Sequence, residues 1–244
     1  MRLLIDAGNT RLKWMLEEQG AAFACGACLV DSDEWVNDLR PYASKINRIA
    51  VATVVSEIGR KDIVARLAEL SDSEVRFYWS EASRGGLKSA YSDVGKMGVD
   101  RWHAMYAGWH QEPSGFAVVD AGSAITVDYV ADSGDHLGGY ILPGKQMMLR
   151  SLTQDAARVG FDPLNARSGT PGRSTTECVQ HGVVWLWEGL ARTLTADCHR
   201  YGLKRVLCTG GDAPALMAAG LTGQHDPDLV LRGLAAVDSE NSDS

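Results

Sequence analysis

The sequence has few of the features that mark exported, membrane-bound or nucleic-acid-binding proteins. Its 244 residues include no long apolar run, and the start MRLLIDAGNT has no small-residue cleavage site, so neither export nor a membrane span is expected. The formal net charge of −7 argues against nucleic acid or an acidic membrane as a general partner. The cysteine count is five, an odd number, which favours a reduced, cytoplasmic location.

Two of the cysteines, Cys25 and Cys28, form a lone C-x-x-C pair with no second pair at zinc-site spacing. They lie in AAFACGACLV, a stretch typical of a buried strand or turn. A structural role is therefore favoured, and a metal or redox role is the alternative.

What the chain does have is a repeated motif. DAGNT at residues 6–10 and DAGSA at residues 120–124 each stand between two apolar, strand-like runs. Strands and helices alternate after each motif, with helices expected over about 33–47, 57–70, 145–159 and 174–201. The last of these helices has Ser174 and Glu177 in capping-box spacing and Gly202 at its end.

This pattern predicts an α/β protein of two tandem halves. We expect them to span residues 1–112 and 113–235, followed by a polar, disordered tail over 236–244. Duplicated halves that face each other form a cleft, and clefts are common places for ligand sites.

The two motifs have the composition of phosphate-binding turns. Gly8 and Gly122 lack a Cβ, so backbone amides at Asn9–Thr10 and Ser123–Ala124 can approach phosphate oxygens closely. Asp6 and Asp120 would repel phosphate unless a cation such as Mg²⁺ lay between them. The alternative is that both aspartates only close hairpin turns. A third glycine turn after a strand, at 209–211, favours a nucleotide site.

A second candidate lies in GKMGVDRWHAMYAG, where a loop becomes a helix. Asp100 could act as a helix cap, which is a common role for aspartate. It could equally direct a carboxylate at a substrate hydroxyl, beside the guanidinium of Arg101. Spacing alone does not decide between these two interpretations.

Four motifs in order, DAGNTRLK, GVDR, DAGSAITVD and GGYILPG, resemble those of the type III pantothenate kinases. That family belongs to the acetate kinase/sugar kinase/Hsp70/actin-like superfamily. The resemblance covers nearly the whole chain, including STTECVQHGVV and HDPDLVLRGL. It implies two tandem ribonuclease-H-like, actin-like ATPase domains with the active site in the cleft between them.

The resemblance also implies roles for individual residues. Asp100 would be the catalytic base, Asp120 the ligand of a monovalent cation (K⁺ or NH₄⁺), and Asp6 a residue on the Mg²⁺ side, acting directly or through water. The ATP-binding residues would be Asp6, Ala7, Gly8, Asn9, Thr10, Arg11, Leu12, Lys13 and Ser123. The pantothenate-binding residues would be Tyr91, Gly98, Val99, Asp100, Arg101 and Thr175. Thr175 would help to close the pocket, either within one chain or across the interface of a homodimer. Ser123 replaces the family's more usual threonine but keeps its hydroxyl.

The implied reaction is transfer of the γ-phosphoryl group of ATP to pantothenate, the first step of coenzyme A biosynthesis. One alternative is a kinase of the same superfamily that acts on a sugar or an acyl acid. Another is a nucleotide-binding regulatory protein. Three features of the sequence argue against this alternative: it has no helix-turn-helix motif, it has no basic patch, and Asp100 is intact.

Overall fold

The computed structural model describes residues 1–155 and 169–241. In chain order its elements are β1 (Arg2–Ala7), β2 (Arg11–Glu18), β3 (Ala21–Leu29), α1 (Glu34–Leu39), a 3₁₀ helix (Arg40–Lys45), β4 (Arg48–Thr53), α2 (Glu57–Ala68), β5 (Val75–Phe77), β6 (Ser83–Arg84), β7 (Leu87–Lys88), a second 3₁₀ helix (Val94–Lys96), α3 (Val99–Gln111), β8 (Phe116–Ala121), β9 (Ala124–Val130), β10 (His136–Pro143), α4 (Lys145–Asp155), α5 (Thr175–Tyr201), β11 (Arg205–Thr209), α6 (Ala213–Ala218), β12 (Gln224–His225) and α7 (Leu229–Glu240).

The chain divides into two compact units. Unit 2 is the continuous stretch Pro113–Pro227, whereas unit 1 combines Met1–Glu112 with the residues from Asp228 onward. The predicted boundary between 112 and 113 coincides with this division. The predicted boundary at residue 235 differs from it, because α7 packs on the sheet of unit 1.

The sheet of unit 1 has the strand order β3-β2-β1-β4-β5. β1 pairs antiparallel with β2 through the first Asp-Ala-Gly turn, and parallel with β4. Successive side chains on β1 point to opposite faces. Leu3 and Ile5 pack with α1 and α2 residues such as Trp35 and Ile63, while Leu4 packs with α3 and α7.

Unit 2 repeats the strand order as β10-β9-β8-β11-β12, with the second Asp-Ala-Gly turn between β8 and β9. One face of this sheet packs on α5 and α6, where Val119 and Val127 meet Trp187 and Leu216. The alternating apolar residues around both motifs are therefore strands of two similar sheets, as the sequence predicts.

Helix α5 follows the predicted end signals. The Ser174 Oγ accepts a hydrogen bond from the Glu177 amide at 3.2 Å, and Gly202 ends the helix in the left-handed conformation at φ 66°. The helix predicted over 145–159 is α4, and residues 156–159 of that prediction lie outside the described residues.

The predicted tail over 236–244 differs from the structure, because α7 remains helical to Glu240. Asp238 is fully buried, and its carboxylate pairs with Arg2 at 2.9 Å and with Arg48 at 2.8 Å. Tyr78 donates a further hydrogen bond to it at 2.6 Å. The acidic residues that make this segment look like a tail instead fix it to unit 1. Residues 242–244 lie outside the described residues.

None of the helices within the described ranges has both the length and the apolar character needed to cross a membrane.

Candidate active site

The first Asp-Ala-Gly turn closes tightly at the end of β1. The Gly8 amide donates to the Arg11 carbonyl at 2.9 Å, which leaves Asn9 and Thr10 at the exposed tip of the hairpin. A Cβ on Gly8 would lie 3.2 Å from that carbonyl oxygen, so the close approach favours glycine. A tip of small residues on two paired strands can present backbone amides to an anion.

Asp6 lies just before this turn, on a face of the sheet that also contacts α3. Its neighbours in register are Lys13 on β2 and Ala52 on β4. In-register residues on paired strands present their side chains to the same face, so the Asp6 carboxylate and the Lys13 ammonium are cross-strand neighbours. Val99, the first residue of α3, packs in the same apolar cluster as Ala52. Helix α3 therefore begins against the sheet face that carries Asp6.

The helix cap of α3 is Gly98, not Asp100. Gly98 has extended backbone and no side chain to cap the helix, and Asp100 is the second residue inside it. The Asp100 Oδ1 accepts a hydrogen bond from the Arg101 amide at 2.8 Å. A Cβ on Gly98 would lie 2.6 Å from that oxygen, so the glycine leaves space for the carboxylate. A negative charge in the first turn is also stabilised by the helix dipole.

Arg101 and Tyr91 are in direct contact. Arg101 is 95 % buried as a residue. Its guanidinium donates from Nη1 to the Tyr91 hydroxyl at 2.8 Å and lies 5.7 Å from the centre of the Tyr91 ring. The sequence separates these residues by ten positions, and the structure joins them through the loop that ends at Gly98. Of the predicted pantothenate residues, all but Thr175 thus belong to one end of α3 and the loop before it.

A cavity of about 380 Å³ opens beside this end of α3. Thr53, Val54 and Val55, which follow from the end of β4, line it together with Gly98 and Val99. The Val54 amide donates to the Ala7 carbonyl at 3.2 Å. The cavity, the first turn and the start of α3 therefore lie at the same edge of the unit 1 sheet.

The second Asp-Ala-Gly turn, in unit 2, is shorter. The Gly122 amide donates to the Ala124 carbonyl at 2.9 Å, so that Ser123 alone is at the exposed tip. Gly144 packs against it, and a Cβ there would lie 2.2 Å from the Gly122 oxygen. The Gly144 amide donates to the Ser123 carbonyl at 3.2 Å. The GGYILPG motif thus ends in a glycine that supports the turn.

Asp120 lies against the third glycine turn. Its register partners are Thr126 on β9 and Thr209 on β11. Gly210 has φ +90°, and a Cβ on it would lie 2.4 Å from the Asp120 Oδ1 and 2.4 Å from the Ala121 oxygen. Only a residue without a side chain fits this backbone, and oxygen atoms gather around it. The structure therefore joins Asp120 to the 209–211 turn, two features that the sequence analysis singles out separately.

Thr175, the last predicted site residue, is the first residue of α5 and is exposed. Ser174, just before it, is the cap. The structure places Thr175 in unit 2 on an element distinct from the strands that hold Asp120.

Two further charged residues lie at these turns and are not among the residues predicted from the sequence, namely Asp212 and Lys145. Burial raises the pKa of the Asp212 carboxyl, and the nearby Lys145 ammonium opposes that rise. Each stands directly after a glycine turn, in TGGD and in PGK. A charged residue just past a glycine turn is the local signal that could have identified them.

Within residues 1–155 and 169–241, no three His, Cys, Asp or Glu side chains cluster as a metal-binding group. Cys25 is exposed and Cys28 is buried on β3, and burial raises the pKa of the Cys28 thiol.

Comparisons with known proteins give one consistent family. A family model described as type III pantothenate kinase matches residues 2–197. A type III pantothenate kinase from Marinobacter nauticus is 48 % identical over 239 residues, covering 98 % of each chain. One from Cellvibrio japonicus is 36 % identical over 240 residues, covering 96 % of this chain and 95 % of its own.

Solved structures give the fold. Component A of the (R)-2-hydroxyglutaryl-CoA dehydratase from Acidaminococcus fermentans has a TM-score of 0.56 at 14 % identity, with 100 % of this chain and 99 % of that chain covered. A conserved Campylobacter jejuni protein assigned to the Baf family of transcriptional activators has a TM-score of 0.61 at 21 % identity, with 99 % and 100 % covered. At these identities the likeness concerns the fold alone, and it confirms the predicted α/β class, with one five-stranded sheet in each of two compact units.

Proposed function

The chain belongs to the type III pantothenate kinase family, and from that premise we propose which of its residues carry out the reaction. It is a kinase that uses ATP to phosphorylate pantothenate, giving 4′-phosphopantothenate in the first step of coenzyme A biosynthesis. Phosphoryl transfer asks a protein mainly for positioning and charge stabilisation. The observation that carries the assignment of roles is the start of α3, where one carboxylate stands beside a buried guanidinium.

Asp100 is proposed as the catalytic base. Its carboxylate is held at the first turn of α3 by the Arg101 amide and by the space that Gly98 leaves. From there it would orient the acceptor hydroxyl and accept its proton late, when the bond to phosphorus is largely formed. A carboxylate is too weak a base to ionise an alcohol beforehand.

Tyr91, Gly98, Val99 and Arg101 are proposed to bind pantothenate, with Thr175 from the start of α5. The direct Arg101–Tyr91 hydrogen bond and the buried guanidinium support a preorganised surface. A guanidinium can pair with a carboxylate group such as that of pantothenate.

The first turn, from Asp6 to Lys13, is proposed to bind the phosphates of ATP, and Ser123 to contact ATP from the tip of the second turn. Asp6 is proposed on the Mg²⁺ side. Its carboxylate oxygen is a donor that Mg²⁺ prefers, and Mg²⁺ commonly takes one or two carboxylates with phosphate oxygens and waters. When bound, the metal would neutralise charge on the transferred group. Lys13, opposite Asp6, adds a second positive charge at this turn.

Asp120 is proposed as a ligand of the monovalent cation, K⁺ or NH₄⁺. The residues present fit such an ion, because Gly210 has no Cβ and the Asp120 Oδ1 and the Ala121 oxygen therefore gather at the end of β11. Oxygen atoms that replace a hydration shell are the usual surroundings of K⁺.

A homodimer is proposed as the working form. Unit 2 exposes large apolar side chains, including Tyr140, Ile141 and Leu142 on β10 and Trp185 and Leu186 on α5. Trp187, two residues on, is buried in the core. Exposed apolar surface of this kind marks protein interfaces. Trp185→Glu should shift the mass measured by light scattering from dimer to monomer if α5 is part of the interface. A cytoplasmic location remains a prediction.

The test of the function is a coupled assay of ADP release with pantothenate, with and without K⁺. A sugar and an acyl acid serve as control acceptors. We expect ADP release to require pantothenate and to rise with K⁺. Turnover with a control acceptor alone would contradict the substrate, and turnover indifferent to K⁺ would contradict the role of Asp120.

A further inference from the structure

One buried hydroxyl in unit 2 has no hydrogen-bond partner within residues 1–155 and 169–241. Thr209 is the last residue of β11 and is 99 % buried, yet no group among the described residues pairs with its Oγ1. Burying a hydroxyl without a partner is costly, and buried polar side chains are nearly always satisfied. An unsatisfied buried hydroxyl therefore needs an explanation, and one explanation is that a bound ion is its partner.

The position of this hydroxyl points to its partner. Thr209 is in register with Asp120 on the neighbouring strand, so both side chains leave the sheet on the same face. The next residue, Gly210, is the one whose missing Cβ makes room for the Asp120 Oδ1. The unpaired hydroxyl and the carboxylate therefore belong to one small region at the end of β11.

Unit 1 offers an internal comparison. Thr53 ends β4, the strand that corresponds to β11, and it is 97 % buried. Its hydroxyl donates to the Ala7 oxygen at 2.9 Å and accepts from the Val55 amide at 3.1 Å. Thr53 is in register with Ala7, one position beyond Asp6, whereas Thr209 is in register with the aspartate itself. The protein satisfies one hydroxyl with its own backbone and leaves the other for something else.

We infer that the Thr209 hydroxyl is a ligand of the monovalent cation, acting together with Asp120. This inference rests on the proposed role of Asp120 and extends it to a residue that sets how tightly the ion is held. A neutral hydroxyl oxygen beside a carboxylate suits a singly charged ion, since it adds a ligand without adding negative charge.

The test compares thermal unfolding of the full chain in KCl and in N-methyl-D-glucamine chloride at equal ionic strength, with Mg²⁺ and ADP present. K⁺ should raise the midpoint of the natural protein. Thr209→Val should lose that rise, or need about tenfold more K⁺ for half of it. Its midpoint without K⁺ should stay the same or increase, because an unsatisfied hydroxyl has been replaced by a methyl group. Thr209→Ser, which keeps the hydroxyl, should keep the rise.

Thr53→Val is the matched control. It removes a buried threonine hydroxyl that is paired, so the midpoint should fall while the response to K⁺ stays. Thr209→Val with the full K⁺ response at the natural half-saturating concentration would overturn the inference. If Asp120→Asn keeps the response, the cation site itself is misplaced. If Asp120→Asn loses the response and Thr209→Val keeps it, only the role of Thr209 is refuted.

A soak of the natural protein's crystals with Tl⁺ gives a second measurement that needs no variant. An anomalous peak within bonding distance of the Thr209 Oγ1 would support the inference. A peak at Asp120 that lies out of reach of this oxygen would refute it, even if Thr209→Val failed to fold.

Discussion

The two units share a strand order and an aspartate at the same place, yet they surround that aspartate differently. In unit 1, Asp6 faces the ammonium-bearing Lys13 and the methyl group of Ala52 across the strands. In unit 2, Asp120 is flanked by two threonines and lies on a glycine backbone at φ +90°. The surroundings of Asp6 thus include a charged side chain, whereas those of Asp120 consist of neutral threonines and the backbone of Gly210.

This difference agrees with the different roles proposed for the two turns. A carboxylate beside a lysine at a two-residue hairpin tip suits a phosphate-and-Mg²⁺ role, because positive charge is already supplied. A carboxylate among neutral oxygens suits an ion of single charge. Unit 1 also carries Asp100, which is proposed as the base. The helix that holds it, α3, has no counterpart among the described elements of unit 2.

The largest effect should come from removing the carboxylate of Asp100, the proposed base in unit 1. Asp100→Asn keeps an oxygen for the Arg101 amide and the shape that fits beside Gly98. We expect kcat to fall by about 10²–10⁴-fold, as for loss of a general base, with an unchanged midpoint of thermal unfolding. Near-normal turnover in the coupled assay would place the base elsewhere.

The next effect concerns what holds unit 1 together. Asp238→Asn leaves the guanidinium groups of Arg2 and Arg48 without their buried carboxylate. The free energy of unfolding should fall by about 3–5 kcal/mol, measured in urea. Glu57→Gln is the control, since its pair with Lys61 is exposed on α2 and should contribute about 0.3–0.5 kcal/mol. Equal losses in the two variants would mean that α7 is not anchored by Asp238.

The backbone contrast can be broken at Gly210. Gly210→Ala forces a Cβ to within 2.4 Å of the Asp120 Oδ1 and adds an L-residue at positive φ. We expect a loss of about 1–3 kcal/mol from the backbone conformation, together with loss of the K⁺ response. Gly211→Ala is the matched control, because a Cβ there meets nothing within 4 Å. If both variants respond to K⁺ as the natural protein does, the glycine turn does not shape the ion site.

The smallest expected effect is a pH dependence of stability, and it arises from a difference between two buried histidines. His136 in unit 2 lies 2.9 Å from the Asp128 carboxylate, whereas His103 in unit 1 bonds only the Val99 carbonyl at 2.8 Å, and its Nε2 is unpaired among the described residues. Burial lowers the pKa of His103 to about 4.

The unfolded chain therefore takes up this proton at a higher pH than the folded chain does. Stability that is fully present above pH 6.5 should be lost as the pH falls towards 4, by about 2 kcal/mol between pH 6.5 and 5. In the His103→Gln variant, the free energy of unfolding measured in urea should depend less on pH between about pH 6.5 and 5. An equally steep pH dependence in this variant would assign the effect to other groups.

Local features of the sequence predicted much of this architecture. The alternating runs around each Asp-Ala-Gly motif became paired strands, and the signals at Ser174 and Gly202 marked the ends of α5. Tertiary pairing explains the main failure. Residues 236–240 look like a tail because their partners, such as Arg2 and Arg48, lie some 190 to 236 positions away. The Thr209 hydroxyl, which has no partner in the part of the chain that the structure describes, could not be predicted from local sequence either, because its surroundings depend on which strand lies beside β11.

The return of α7 to unit 1 has a consequence for synthesis. Unit 2 is one continuous stretch, so it can fold as soon as the ribosome has released it, whereas unit 1 lacks the helix that covers Leu4 and Ala50 until the last part of the chain appears. The half that is translated first should therefore be the last to complete its core. During that interval α3 alone covers this face of the nascent sheet, and the part that α7 covers later is apolar surface of the kind that chaperones bind.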